Sequence, residues 1–348
     1  MRRVFIGTTE MAGVSFFLKK SLQAVGVSAD SYVTRRHPFG YPIDNLVPTW
    51  KYKGTRFINP VIYFFLFLYA VVLYDTFIFI SYSSFFKSNR DLPILKFFKK
   101  KIIYLFLGCA ERDPQAFRQF PHGYCSNCKS ERYKKYFACY HPEKKRKAVA
   151  YRERYADLVF AQDDLAGFLK GSFEWLFVPV EKPDEYDRNL KWTDKKIKIL
   201  YLPSEKGVKS FEIVNQVLAN LKKSHNNIEI FCKENIPRYK VKDLFKKIHI
   251  VIDAFSEIHG VLPVEAFSYE CVVIGYIGDW FLKNTPGLPI ISTKPENLYS
   301  TLEQIITDRD KLRSLGYRSR KYYQSVHSYQ AIGSYYKKKI ETLFKDKN

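Results

Sequence analysis

The feature that most constrains this chain is a regular alternation in its second half. Short apolar runs rich in β-branched residues, "IKILYLP", "NIEIFCK", "HIVIDAF" and "CVVIGYI", are separated by stretches with apolar residues at helical spacing, "SFEIVNQVLANLKKS", "RYKVKDLFKKI" and "LPVEAFSYE". Parallel strands cannot be joined by tight turns, so strands alternating with helices this regularly predict a doubly wound parallel sheet with helices on both faces. The first half opens the same way. "RVFIG" reads as a strand and "TTEMAG" breaks it; Val14, Phe17, Leu18, Leu22 and Val25 then recur at helical spacing until Gly26, and "VSADSYVT" resumes a strand. "KKIIYLFLG" and "ADLVFAQ" are two further apolar bursts of strand length.

A length of 348 residues accommodates two such domains. The stretch "EKPDEYDRNLKWTDKK" is polar, carries Pro183 and has no periodicity, which places the domain boundary near Val180. The expectation is α/β throughout: a Rossmann-like domain at 1–179 with a Cys-rich insertion at 109–141, a second Rossmann-like domain at 180–325, and a basic helix at 326–348. No internal repeat of solenoid period is present.

The formal net charge of +22 favours an anionic partner: a phosphorylated substrate, an anionic membrane surface or nucleic acid. A solvated, lysine-rich surface accounts for it equally well. No groove motif supports nucleic acid, which is the least favoured partner. The opening "MRRVFIGTTEMAG" has an apolar run far shorter than the roughly 7–15 residues of a signal-peptide core, so a cytoplasmic protein is expected. In 60–86, Asp75 is the only charged residue. That segment is long enough for a spanning helix of about 20 residues. A carboxylate near its middle is costly in hydrocarbon, and "TFIFIS" reads as a strand. A buried helix at 60–74 followed by a buried strand is therefore preferred, with a helix that spans or dips into the inner face of a membrane as the alternative.

The stretch "SEIHGVLPVEAFSYECVVIGY" carries the chemistry. Glu257 falls just past the strand "HIVIDAF", where the loops of an open parallel sheet meet ligands. Gly260 admits a sharp turn or a close ligand, and Pro263 suits a first helical turn. Glu265 is expected within that turn, facing the crevice, beside free N–H groups that suit a phosphate. Two hydroxyl-binding carboxylates around a phosphate-binding helix start fit a nucleotide sugar. The plain alternative is a pair of solvated carboxylates, one of them favoured by the helix dipole. His259 lies between the two glutamates and is a further donor-contact candidate.

This stretch resembles the two-glutamate signature of glycosyltransferases with the GT-B fold, most closely glycosyltransferase family four, the "glycosyl transferases group 1". Glu257, Gly260, Pro263, Glu265, Ala266 and the strand "CVVIGY" match the family pattern, whereas Glu270 and Val272 stand where Gly and Pro are common. In "LPSEKGVKSFE", Lys206 and Gly207 match the family's Lys-Gly loop. The Arg usual a few residues earlier is absent, and Lys209 is the substitute on offer. "TTEMAGVSFFLKKSLQAVGVSADSYV" resembles the family's opening, with Gly13 in a loop that faces the cleft. "KKIIYLFLGCAERD" aligns with its Phe-His-Gly motif, with Leu107 in place of His, Ala110 in place of Asp, and Gly108 and Arg112 kept.

The resemblance implies two Rossmann-like domains facing across a cleft and a hexosyltransferase that moves a sugar from a nucleoside-diphosphate donor to a hydroxyl acceptor. Saccharide and lipid-linked acceptors of polysaccharide or glycolipid synthesis are expected, with retention of configuration and no catalytic cofactor. Lys206 would neutralise the diphosphate leaving group, and Glu257 would lie near donor-sugar hydroxyls. Glu265 would hold the ribose. Gly13, Gly207, Lys209, Gly260 and His259 would complete the donor site, and Arg112 would stand on the acceptor side.

"GCAERDPQAFRQFPHGYCSNCKSERYKKYFACYH" gathers Cys109, Cys125, Cys128 and Cys139. The C-x2-C pair lets two thiolates share a tetrahedral ion, so a structural zinc site is an expectation, with His122 or His141 able to replace a cysteine. Unrelated thiols are the alternative. From a different class, a basic, zinc-stapled protein that binds nucleic acid or anionic lipid would account for the charge and the cysteines. A non-catalytic GT-B scaffold would account for Leu107 and Ala110.

Overall fold

The computed structural model describes residues 2–49, 58–203, 211–234 and 236–345. The chain forms two compact units, one comprising Met1–Ala116, Arg132–Val180 and Ser328–Asn348, the other Phe117–Glu131 and Glu181–His327. Two segments thus lie with a unit that their place in the chain does not suggest. Phe117–Glu131, expected in the N-terminal domain, belongs with the second unit, and the C-terminal helix returns to the first.

The first unit holds strands β1 (Arg3–Thr8), β2 (Ser28–Val33), β3 (Asn45–Leu46), β4 (Thr76–Ile80), β5 (Lys101–Leu105), β6 (Leu158–Ala161) and β7 (Glu174–Trp175). They form one parallel sheet in the order β3-β2-β1-β4-β5-β6-β7, which reverses direction at β1/β4 as in a dinucleotide-binding sheet. Strands buried on both faces read as unbroken apolar runs, and "TFIFI" in β4 is buried at every position. Phe5, Phe77, Phe79, Ile102 and Tyr104 alternate onto one face and meet Phe67, Leu92, Leu95 and Val149 from the covering helices Ile58–Leu73, Leu92–Phe97 and Pro142–Tyr155.

The helices Val14–Ala24 and Tyr329–Lys345 pack against each other. Gly333 permits it, because a Cβ there would run into the backbone of Ser21. The C-terminal helix is further tied down by Tyr335 Oη donating to Trp175 O at 2.8 Å and Lys337 Nζ donating to Val25 O at 3.0 Å. A buried ion pair, Arg152 to Glu111 at 3.0 Å, lies beneath the rings of Phe106 and Tyr104, and Ser81 donates to the same carboxylate.

The sequence reading of a buried helix at 60–74 needs correction. The helix runs Ile58–Leu73, and only Phe67 and Ala70 are buried in it. One stripe packs on the sheet, while large apolar side chains of the opposite stripe stay exposed. No described helix is long and apolar enough to cross a membrane.

The second unit holds β8 (Ile197–Tyr201), β9 (Ile228–Cys232), β10 (Ile250–Glu257), β11 (Val272–Ile277) and β12 (Ile290–Ser292), all parallel, in the order β12-β11-β10-β8-β9. Ile197, Ile199, Tyr201, Ile250, Ile252, Val272 and Ile274 share one face with Leu218, Leu302 and Leu312. A buried polar knot closes the amino end of the sheet. His249 Nδ1 accepts from Lys198 N at 3.0 Å, its Nε2 donates to Lys191 O at 2.8 Å, and the buried Lys191 ammonium donates to Tyr269 O at 2.7 Å. Burial, reinforced by Lys191, pulls the His249 imidazole down to about 4.

Both His249 nitrogens are thus committed to the neutral ring, and protonation must break one bond. With the folded value depressed below the unfolded one near 6.5, the unfolded state takes up the proton first as pH falls. The His249 contribution is therefore complete above pH 6.5 and is lost between pH 6.5 and about 4. Comparing the parent with His249→Gln across that window, the stability difference should shrink by about 3 kcal/mol toward the acid end. Urea titrations giving a pH-independent difference would contradict this reading.

Candidate functional site at the carboxyl ends of the second sheet

In the second sheet the winding reverses between β8 and β10, so the connections that follow these neighbours leave in opposite directions and open a crevice at their carboxyl ends. The loop after β8 contains Lys206, Gly207 and Lys209, which lie outside the described residues. The loop after β10 begins at Glu257.

Glu257 is the last residue of β10 and only 4% exposed. The strand reaches it through register shifts against β11 between Ile252 and Phe255 and again between Phe255 and Glu257. Such irregularities re-aim side chains beside sites. Its backbone is left-handed, with φ of 69°, a conformation that a residue with a Cβ holds only when its surroundings enforce it. The surroundings are visible: Glu257 O accepts from Gly278 N at 2.9 Å, and a Cβ on Gly278 would collide with the Glu257 carboxylate and the Trp280 indole. Trp280 Nε1 is turned toward the carboxylate without forming a well-aligned hydrogen bond. Burial raises the Glu257 carboxyl above the ordinary carboxylate range, and Trp280 and His122 pull it part of the way back.

His122 brings in the segment Phe117–Glu131. Phe120 lies against the Trp280 ring with centroids 5.8 Å apart, Phe117 meets the same ring edge-on at 6.3 Å, and His122 packs on Tyr276 at 4.6 Å. A strap of chain from the middle of the sequence thereby walls the crevice with aromatic rings around one partly desolvated carboxylate. Aromatic faces beside a carboxylate suit a sugar, whose C–H faces pack on rings while its hydroxyls donate to the acid.

Glu265 has a different setting from the one expected. It is the fifth residue of the helix Val261–Ser268, past its first turn, and its Oε1 receives Arg238 Nε at 3.0 Å and Nη2 at 2.9 Å. Arg238 also pairs with Glu181, which Lys242 holds at 3.0 Å. A carboxylate this buried needs a cation, and Arg238 at the start of the helix Arg238–Phe245 supplies it.

Gly260 precedes the helix with φ of −92°, and a Cβ there would meet nothing within 4 Å. The loop's own backbone therefore does not require glycine. The helix start offers the N–H groups of Val261, Leu262 and Val264, while Pro263 offers none. His259 is buried, its Nδ1 donates to Gly260 O at 2.9 Å, its ring stacks edge-on with Phe281 at 5.1 Å, and burial lowers its pKa.

Gly13 and Arg112 lie in the first unit. Gly13 has φ of 79°, precedes the helix Val14–Ala24, and leaves no room for a Cβ beside Phe17 and Tyr41. Arg112 is buried, with Nε 2.9 Å and Nη2 2.6 Å from Asp164 Oδ2 and Nη1 3.3 Å from Cys109 Sγ. Cys109 and Cys139 belong to the first unit, and Cys125 and Cys128 to the second. None of the cysteines forms a disulfide, and among the described residues no three of His, Cys, Asp and Glu gather so as to hold a metal ion.

Trp280, Tyr276, Phe117, Phe120 and Arg238 were not anticipated from sequence. From sequence His122 reads only as an alternative zinc ligand. The aromatic run "FRQFPH" and "GDW" just after a predicted strand were the available signals.

Several solved structures share this architecture. Sucrose-phosphate synthase from Thermosynechococcus elongatus matches with a TM-score of 0.63 at 12% identity, covering 99% of this chain and 99% of that one. Anabaena Alr3699/HepE in complex with UDP-glucose matches with 0.62 at 11%, covering 98% and 100%. A putative UDP-N-acetylglucosamine 2-epimerase from Listeria monocytogenes matches with 0.58 at 10%, covering 100% and 97%. No protein-family model and no curated protein sequence matches. The chain has the two-unit, Rossmann-like GT-B fold.

The Arg238–Glu265 pair yields a direct test. Removing one partner of a buried pair strands a charge, so Arg238→Ala or Glu265→Ala should each lower the unfolding free energy by about 3–5 kcal/mol. The double variant Arg238→Met/Glu265→Leu should recover much of that loss. Denaturant titrations in which the two single losses simply add in the double variant would contradict the pairing.

Proposed function

We propose that this protein is a glycosyltransferase that binds a nucleoside-diphosphate sugar at the carboxyl ends of β8, β10 and β11 and transfers the sugar to a hydroxyl acceptor. The observation that carries the reading is Glu257, a buried, left-handed carboxylate at the winding reversal of the sheet, lined by Trp280. The fold shared with sucrose-phosphate synthase and with a protein crystallised with UDP-glucose supports it.

In this reading the diphosphate sits at the start of the helix Val261–Ser268, where three N–H groups and the positive end of the dipole favour an anion. Lys206 neutralises the charge that develops as the nucleoside diphosphate departs, a role a preorganised cation performs without a metal. Lys209 and Gly207 complete the phosphate loop. Glu265, fixed through Oε1 by Arg238, reads the ribose. Glu257 accepts hydroxyls of the transferred sugar, and Trp280 and Tyr276 pack on its ring. His259 and Gly260 bound the donor pocket, with Gly260 leaving space for the ligand. The acceptor is a saccharide or lipid-linked hydroxyl of polysaccharide or glycolipid synthesis, and the product retains the donor configuration. Gly13 belongs to the donor site, and Arg112 serves the acceptor side, where it acts through the loop that it braces.

A second reading, epimerisation of a UDP-sugar, is favoured by the fold shared with the 2-epimerase. The two differ in their need for an acceptor: an epimerase changes the donor's sugar by itself, whereas a transferase releases the nucleoside diphosphate.

Calorimetric titration with UDP-, GDP- and ADP-sugars should show saturable binding to one donor. Replacing Glu257 or Lys206 with alanine should weaken that binding by roughly 10- to 100-fold, the loss of one or two charge-assisted hydrogen bonds. Absence of binding across the panel would reject the donor site, and conversion of the donor to its epimer without release of nucleoside diphosphate would favour the second reading.

A further inference from the structure

We infer that the exposed stripe of the helix Ile58–Leu73 is a docking surface for an anionic lipid bilayer. The helix carries no charged residue. Val61, Phe64, Phe65, Leu68, Tyr69 and Val72 recur at helical spacing and are all exposed, Phe65 at 63% and Val72 at 80%. Phe67 and Ala70, on the opposite stripe, fix the helix to the first sheet, so the exposed stripe points away from the protein. A contiguous apolar face of this kind on an otherwise highly charged protein marks an interaction site.

The neighbouring helix identifies the partner. Leu92–Phe97 covers the same side of the same sheet, as its Leu92 and Leu95 enter the core cluster that receives Phe67. Its solvent side therefore faces outward with that of Ile58–Leu73. There Phe97 is exposed at 80% and Phe98 at 51%, followed directly by Lys99, also exposed, and Lys100. Apolar rings with flanking lysines complement an acidic headgroup layer above hydrocarbon. A protein carrying +22 is drawn to such a surface before any ring inserts.

Geometry excludes a span. Sixteen residues rise about 24 Å, short of a hydrocarbon core of about 30 Å. The helix is also bound along one side by the sheet. It lies in the interface plane with Tyr69, on the exposed stripe, at headgroup depth, where amphipathic rings are favoured. This surface lies wholly in the first unit and does not depend on the donor site assigned above.

The test is cosedimentation of the full chain with phosphatidylcholine vesicles, with and without phosphatidylglycerol. The parent should bind the vesicles containing phosphatidylglycerol at least about tenfold more tightly, and salt should weaken that binding. Phe65→Glu/Val72→Glu places charges on side chains that are already exposed and should abolish binding with an unchanged thermal melt. Lys99→Glu/Lys100→Glu should remove the preference for phosphatidylglycerol. The inference is overturned if the parent sediments with neither vesicle, or if Phe65→Glu/Val72→Glu binds as the parent does. It is equally overturned if the parent binds no vesicle and is a dimer that this variant converts to monomer, which would make the stripe an interface between copies. A donor titration on the same samples reads out the other site separately.

Discussion

A parallel strand ends on the opposite side of the sheet from where the next must begin, and this protein's organisation follows from that constraint. Each return requires a crossover, usually a helix, so all connections of one kind collect at the carboxyl edge. In the second unit the order β12-β11-β10-β8-β9 reverses the winding between β8 and β10. The loops there diverge, and the crevice they leave is a consequence of chain direction before any side chain is considered. Glu257 occupies that edge in a left-handed backbone, which Gly278 accommodates by lacking a Cβ.

Buried charge is the second theme. Arg152–Glu111 and Arg112–Asp164 in the first unit and Arg238–Glu265 in the second remove both partners from water. Burying a pair gains little over apolar packing, but breaking one is costly, so such pairs hold their elements in a single arrangement. Arg238 illustrates the link to function: the same contact that stabilises the second unit fixes the orientation of the carboxylate assigned to the ribose. The His249–Lys191 knot does comparable work at the far end of that sheet by locking a neutral imidazole between the Lys198 amide of β8 and the Lys191 carbonyl of the helix Arg188–Thr193.

The two faces of the first sheet have opposite fates. One is closed by the helices Val14–Ala24 and Tyr329–Lys345, which approach closely at Gly333. The other is covered by helices of which Ile58–Leu73 is apolar all round but has protein on one side only. A stripe of such composition left to water would lower solubility, and the proposed contact with lipid would resolve that mismatch between its sequence and its surroundings.

Alternation of β-branched runs with helical periodicity fixed the α/β class, the two parallel sheets and the position of Glu257 at a strand end, because these follow from local period and chain direction. The chain passes between the two compact units at Val180 and Glu181. What the local reading could not reach were pairings between residues distant in sequence. Arg238 and Glu265 are 27 positions apart, and nothing local marks them as partners. Phe117, Phe120 and His122 meet Trp280 and Tyr276 across more than half the second unit's length of intervening chain, which is why the Cys-bearing segment read as an insertion of the first domain. Periodicity likewise showed that Ile58–Leu73 is an apolar helix but not that only one stripe would find protein to cover it. Local sequence sets which conformations are favourable residue by residue; which surfaces meet is decided by the packing of the whole chain, and only the tertiary structure records it.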